Sequence, residues 1–135
     1  ILDIRINDNF NLLKDAALNG NKIETNKLLS DTIIDADKNV FYLALINQRL
    51  NKLAEAAQLS KTTNLEDAIS RIKPPIFWKD KPGFKEQAKK WNLDKIKLIL
   101  KETYDLEIKI KSEAIIEKNV LVKKLIVDMC NMANS

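Results

Sequence analysis

A chain of 135 residues is long enough for one domain with its own apolar core, and this one contains two glycines, one cysteine and no histidine. The lack of histidine and of a second cysteine excludes the usual zinc sites and both Ser-His-Asp and Cys-His catalysis, and the scarcity of glycine excludes a phosphate-binding loop. The net charge is a modest +4, because 19 acidic residues offset 23 basic ones. The composition therefore predicts a non-catalytic domain without a metal, a cofactor or a small-molecule ligand.

The first eight residues predict a linker rather than part of the domain. Ile4 and Ile6 alternate with polar residues, but no second strand is present to pair with them. Because the chain begins with Ile1, we interpret residues 1–8 as a linker from a missing N-terminal region and residues 9–135 as one domain. No apolar run approaches the roughly 20 residues that cross a membrane, and a single cysteine is typical of a cytoplasmic protein.

The first two helices are predicted on either side of a glycine. Apolar residues recur at three- and four-residue steps over residues 10–18, and Gly20 follows where a helix commonly ends. A second helix is predicted over residues 23–34. Asp37 then lies where its side chain can cap the next helix.

The third helix carries the strongest helical pattern in the sequence. Residues 40–46 are apolar on every face, and the pattern narrows to one face over residues 50–57. A helix that is apolar on every face must be surrounded by other elements. We therefore expect its first half to lie at the centre of the bundle, with Leu43 and Ile46 fully buried.

Prolines and asparagines mark the boundaries of the next helices. A short helix is predicted to begin at Thr63 or Asn64 and to end before Pro74, because proline removes a donor and forces its predecessor out of the helical region. Pro82 is predicted to be the first residue of the following helix, a position that favours proline. Asn92 is predicted to cap the helix after that.

Two further helices are predicted in the last third of the chain. Apolar residues from Ile96 to Ile110 form one stripe at helical spacing, although residues 106–111 alternate with the period of a strand. No comparable segment is present to pair with them, so a helix is predicted. The final helix is predicted over residues 119–132, where Cys130 lies among apolar residues and is interpreted as a buried spacer.

Three blocks of sequence, in a fixed order, carry a family resemblance. They are NFNLLKDAALNGN at residues 9–21, KPPIFWKDKPGF at residues 73–84 with WNL at residues 91–93, and LEIK at residues 106–109 followed by LIVDMC at residues 125–130. Their order and spacing resemble those of the C-terminal collar domain of the delta subunit of the bacterial DNA polymerase III clamp loader. The basic, proline-flanked aromatic block in the middle is the most distinctive of the three.

The resemblance implies an all-α fold, a single bundle of five or six helices, and no catalytic site in this chain. Collar domains of this family pack in a ring and hold the clamp loader together during DNA replication. The implied partners are the gamma/tau and delta-prime subunits and, through the complex, the sliding clamp and primed DNA. The alternative is a free-standing helical nucleic-acid-binding domain, which would bind DNA alone and in a salt-sensitive way.

An assembly role requires apolar and aromatic surface, and the middle block supplies candidates for it. Aromatic residues that cluster outside a strongly periodic helix have no obvious place in the stripe of a bundle. The candidate subunit-contact residues are Ile76, Phe77, Trp78, Phe84 and Trp91. The alternative is that the tryptophans close the domain's own core, as aromatic residues more often do.

Basic residues are concentrated in the same region. Between Arg71 and Lys101 there are ten basic residues and three acidic ones. This excess favours contact with DNA, and Lys85, Lys89 and Lys90 are the candidate DNA-facing residues. An ordinary solvated face, enriched in lysine by an AT-rich genome, explains the same excess equally well.

Overall fold

Residues 4–32, 38–73, 75–112 and 118–135 are described by the computed structural model, and in these ranges all regular structure is helical. The all-α bundle predicted from the sequence is confirmed, with seven helices in the described ranges rather than the five or six implied by the resemblance. They are α1 (Ile4–Leu18), α2 (Lys22–Asp31), α3 (Asn39–Leu59), α4 (Leu65–Ser70), α5 (Lys81–Lys90), α6 (Leu93–Ser112) and α7 (Lys118–Ala133).

The N-terminal boundary differs from the predicted one. Because α1 begins at Ile4, residues 4–8 are helical and are not the linker predicted for residues 1–8. This stretch contains no proline or glycine to break the helix. At the other boundary, α2 ends at Asp31, and the predicted cap Asp37 lies outside the described residues.

The turn between α1 and α2 follows the local chemistry of its sequence. Gly20 has a φ of 72°, and the amide of Asn21 donates to the carbonyl of Ala16 at 3.1 Å, which closes the end of α1. The side chain of Asn21 accepts a hydrogen bond from the amide of Glu24 at 3.1 Å and so begins α2. A Cβ at position 20 would lie only 2.9 Å from Oδ1 of Asn134. A larger residue would therefore crowd Asn134 as well as strain the backbone, and glycine is favoured for both reasons.

At the centre of the bundle, α3 packs most extensively against α6. Leu43 and Ile46 are fully buried, as predicted. The expectation that residues 40–46 are surrounded on every face is wrong, because Val40 and Phe41 are exposed by 40% and 43%. The helices that pack against α3 leave this part of its first turns uncovered.

The remaining helix boundaries agree closely with the sequence. Asn64 caps α4 and Asn92 caps the start of α6, each accepting from the amide three residues later, at 2.8 and 2.9 Å. Because α5 begins at Lys81, Pro82 is its second residue rather than its first, a position that also needs no backbone donor.

The last two helices bury one face each. Residues 106–111 are helical despite their strand-like alternation, and Leu106 and Ile110 are buried. On α7, Cys130 is buried with the apolar residues around it, as predicted. Among the described helices, none has the length and apolar character to cross a membrane.

Truncation of a central side chain tests this arrangement. Leu43→Ala should lower the free energy of unfolding by about 2–5 kcal/mol, because it leaves a cavity in the core. Ile23→Ala removes a side chain that is 84% exposed and should change stability by less than about 0.5 kcal/mol. Urea denaturation followed by circular dichroism measures both, and equal losses in the two variants would show that α3 is not central.

Candidate docking surface

The segment between α4 and α5 presents two aromatic side chains to solvent. Ile76 is buried and anchors the segment, whereas Phe77 and Trp78 are 57% and 68% exposed. The amide of Asp80 donates to the carbonyl of Phe77 at 2.8 Å, and the amide of Phe84 donates to the carbonyl of Asp80 at 2.9 Å. The aromatic pair is therefore held on a hydrogen-bonded turn that leads directly into α5.

The two exposed rings support each other. Their centroids are 5.9 Å apart and their planes are inclined by 50°. The ammonium of Lys79 lies 5.4 Å from the centroid of the Trp78 ring, within the range of a cation–π contact. Because these contacts restrict the rings before any partner binds, less conformational entropy is lost on binding.

A groove of about 310 Å³ adjoins the rings, between α1, α3 and this turn. Its lining combines apolar side chains such as Leu45 with the cations of Lys14 and Arg49. We call Phe77, Trp78 and this groove the docking surface. The surface offers aromatic and cationic contacts in one place.

In the floor of the groove, the carboxylate of Asp15 lies close to two nearly buried cations, Lys14 and Arg49. Lys14 is 8% exposed, donates to Oδ1 of Asn11 at 3.1 Å and lies 4.0 Å from Oδ1 of Asp15. The same Asp15 oxygen is 3.5 Å from Nη2 of Arg49, and it also accepts from Gln87 at 3.3 Å. Burial lowers the pKa of Lys14, although the charge of Asp15 opposes the shift. The floor thus keeps a positive potential.

The guanidinium of Arg49 is only partly satisfied. Its side chain is 14% exposed, and it lies over the ring of Phe84 at 5.4 Å from the centroid. Its Nε atom is buried without a hydrogen-bond partner among the described residues. A buried donor without a partner is costly to the fold.

Three of the five predicted contact residues belong to the core instead. Ile76, Phe84 and Trp91 are 7%, 0% and 2% exposed, so they are buried in the domain itself, although Ile76 also lines the groove of the docking surface. The indole N–H of Trp91 donates to the carbonyl of Leu18 at 2.9 Å in the interior. The alternative considered for the tryptophans therefore holds for Trp91, whereas Trp78 is exposed as a contact residue must be.

The three candidate DNA-facing lysines all have partners within the chain. Lys85 forms an ion pair with Glu66, and this hydrogen bond lowers the pKa of the Glu66 carboxyl. Lys89 is 3.3 Å from Glu86, and Lys90 donates to a backbone carbonyl at the end of α1. Each of the three ammonium groups is therefore held by an acceptor within the chain.

Sequence reasoning missed the cationic floor and one exposed ring. Lys14 and Arg49 lie on α1 and α3, and their proximity depends on how these helices pack, which no local pattern reports. Phe41 lies one turn before Leu45 on α3 and thus on the same side of the helix. It was assigned to the core because its neighbours are apolar.

The docking surface presents aromatic rings and several charged groups. In the described part of the chain, no group of three or more histidine, cysteine, aspartate or glutamate side chains is placed to hold a metal ion. Cys130 is buried in the core and does not line this groove. The charged groups of the lining are Lys14, Arg49 and Lys52 with Asp15 and Asp80.

Comparison with protein-family models, with curated proteins and with solved structures found no match to this chain. An inference about its function therefore depends on the contacts and exposure of its own residues, together with the three sequence blocks described above.

A second groove, of about 530 Å³, lies between α6 and α7 and contains a titrating carboxyl group. Burial, the hydrogen bond with Asp128 and the charge of Asp128 together raise the pKa of Glu102 to about 7, against the opposing charge of Lys124. The folded chain therefore binds a proton at this site between about pH 4.5 and 7, whereas the unfolded chain does not.

Because of this proton, the free energy of unfolding should depend on pH. Since the folded state binds the extra proton, the contribution of Glu102 to stability falls as pH rises through that window. Glu102→Gln keeps a neutral donor toward Asp128 and should be more stable than the parent chain at pH 8, with the advantage lost at pH 5. Thermal denaturation of both proteins across this range measures the difference. A difference independent of pH would contradict the assignment.

Proposed function

We propose that this chain is a subunit-assembly domain whose docking surface binds a neighbouring protein. The observation that carries the proposal is the exposure of Phe77 and Trp78, side by side, on a hydrogen-bonded turn. Exposed tryptophan is unusual in a domain that can bury its apolar residues, as Trp91 shows. Tryptophan and arginine are also the side chains most enriched among energetic anchors of protein interfaces.

The groove beside the rings indicates the chemistry of the partner. Lys14 and Arg49 share the Asp15 carboxylate, and the Nε atom of Arg49 has no hydrogen-bond partner among the described residues. The charged lining of the groove consists of Lys14, Arg49 and Lys52 with Asp15 and Asp80, an excess of one positive charge. A partner that places an acidic side chain next to an apolar one would match this excess and cover the aromatic rings. A charge-assisted hydrogen bond to such a side chain is roughly twice as strong as a neutral one.

In this proposal the assembly is the bacterial clamp loader, and the chain is the collar domain of its delta subunit in the cytoplasm. Support comes from the three ordered sequence blocks, of which the most distinctive contains both exposed rings. The neighbours are then the gamma/tau and delta-prime subunits, and the complex brings the chain to the sliding clamp and primed DNA. The chain itself supplies contacts and no catalytic group.

Reconstitution tests the docking surface. The chain should associate with the gamma/tau and delta-prime subunits of the same organism in analytical ultracentrifugation, and Trp78→Ala should weaken the association by about 30-fold or more, as loss of an interface anchor does. Because Trp78 is mostly exposed, its removal should leave the melting temperature almost unchanged. Trp78→Phe should restore part of the affinity.

A matched control is provided by the other tryptophan. Trp91→Ala should lower the free energy of unfolding by about 3–5 kcal/mol, because its side chain lies in the core. No association with any clamp-loader subunit would contradict the clamp-loader proposal. Association that Trp78→Ala leaves unchanged would contradict the docking surface while leaving the clamp-loader assignment standing.

A further inference from the structure

The largest groove of the three described so far lies away from the docking surface and is strongly basic. It has a volume of about 650 Å³ and lies where the end of α3 meets the joint between α5 and α6. Its charged lining consists of Lys61, Lys89, Lys90, Lys95 and Lys97 with the single acid Asp94. Five lysines and one aspartate give a formal charge of +4, equal to the net charge of the whole chain. We call it the lysine groove.

Part of this charge has no counter-ion among the described residues. Lys61 and Lys97 have no ion-pair partner in the described ranges. Lys90 donates to the backbone carbonyl of Asn19, which carries no formal charge, so the positive charge of Lys90 remains. The other two lysines are engaged more closely, because Lys89 is 3.3 Å from Glu86 and Lys95 donates at 2.8 Å to an oxygen of Ser135, the last residue of the sequence.

The frame that carries the lysines is held in place by buried and capped residues. Trp91 lies between Lys90 and Lys95 in the sequence and is 2% exposed. Its indole N–H donates a hydrogen bond to the carbonyl of Leu18 in α1. The side chain of Asn92 accepts the amide of Lys95 at 2.9 Å and so fixes the start of α6. An anion that enters the groove therefore meets charges arranged before it binds.

The lining favours phosphate over a protein partner. No exposed aromatic side chain and no arginine lines the groove, although these side chains anchor most protein interfaces. Lysine binds phosphate oxygens as a compact point charge, without the fixed geometry that the planar fork of arginine imposes on its partners. Several unpaired lysines along an open groove match a row of phosphates.

From this arrangement we infer that the lysine groove binds the phosphate backbone of duplex nucleic acid without regard to base sequence. A duplex is favoured over a single strand, because single-strand sites use exposed aromatic rings to stack bases and this groove has none. Contacts made by lysine to phosphates position the duplex but do not distinguish bases. The inference does not depend on the docking surface.

Salt-dependent binding of a labelled mixed-sequence 20-base-pair DNA tests it. Fluorescence anisotropy should give a Kd of about 10–100 µM at 50 mM salt, with a slope of log affinity against log salt of about −3 to −4. Lys61→Gln combined with Lys97→Gln removes two charges that have no internal partner and should flatten the slope by about 2.

The matched control removes two exposed lysines elsewhere. Lys27→Gln combined with Lys123→Gln lowers the net charge equally, on α2 and α7, and should leave the slope almost unchanged. Equal flattening in both double variants would overturn the inference, because binding would then follow net charge alone. Stronger binding to anionic lipid vesicles, to polyglutamate or to a single strand of the same length would also overturn it. Melting temperatures within a few degrees of the parent exclude unfolding as the cause.

Discussion

The C-terminal end of α1 leaves backbone carbonyl groups that no later turn of the helix can satisfy, and their partners come from distant parts of the chain. Gly20 turns the backbone with a φ of 72° and directs these carbonyls toward the joint between α5 and α6 and toward the end of α7. The donors are Trp91 to Leu18, Lys90 to Asn19, and Asn134 to Gly20. These bonds join the end of α1 to the joint between α5 and α6 and to the end of α7. The packing of these helices therefore depends on them.

The same constraint separates the two tryptophans by role. Trp91 is buried because its indole N–H has an acceptor in the interior, which is the usual condition for burying this side chain. Trp78 has no such acceptor and remains exposed beside Phe77. The end of α1 also holds Lys90 at the edge of the lysine groove, through the carbonyl of Asn19. One end of α1 thus accepts hydrogen bonds from Trp91 in the core and from Lys90 at the edge of the lysine groove.

Features governed by neighbouring residues could be predicted from the sequence. The glycine at the end of α1 and the asparagine caps of α4 and α6 act within a few residues, so Gly20 and Asn92 were assigned correctly and Asn64 was one of two candidates for the start of α4. The burial of Trp91 could not be predicted, because its acceptor lies 73 residues earlier in the chain. The internal partner of Lys90 is separated from it by 71 residues. Such pairings depend on packing and leave no periodic signal.

The most direct test of this account is hydrogen exchange of the two indole N–H groups, which NMR resolves because the chain contains only two tryptophans. The Trp91 indole should exchange only through global unfolding, so that its protection matches the free energy of unfolding measured with denaturant. The Trp78 indole should exchange at nearly the rate of an unprotected group. Exchange of Trp91 through a local opening, or strong protection of Trp78 in the isolated chain, would contradict the account.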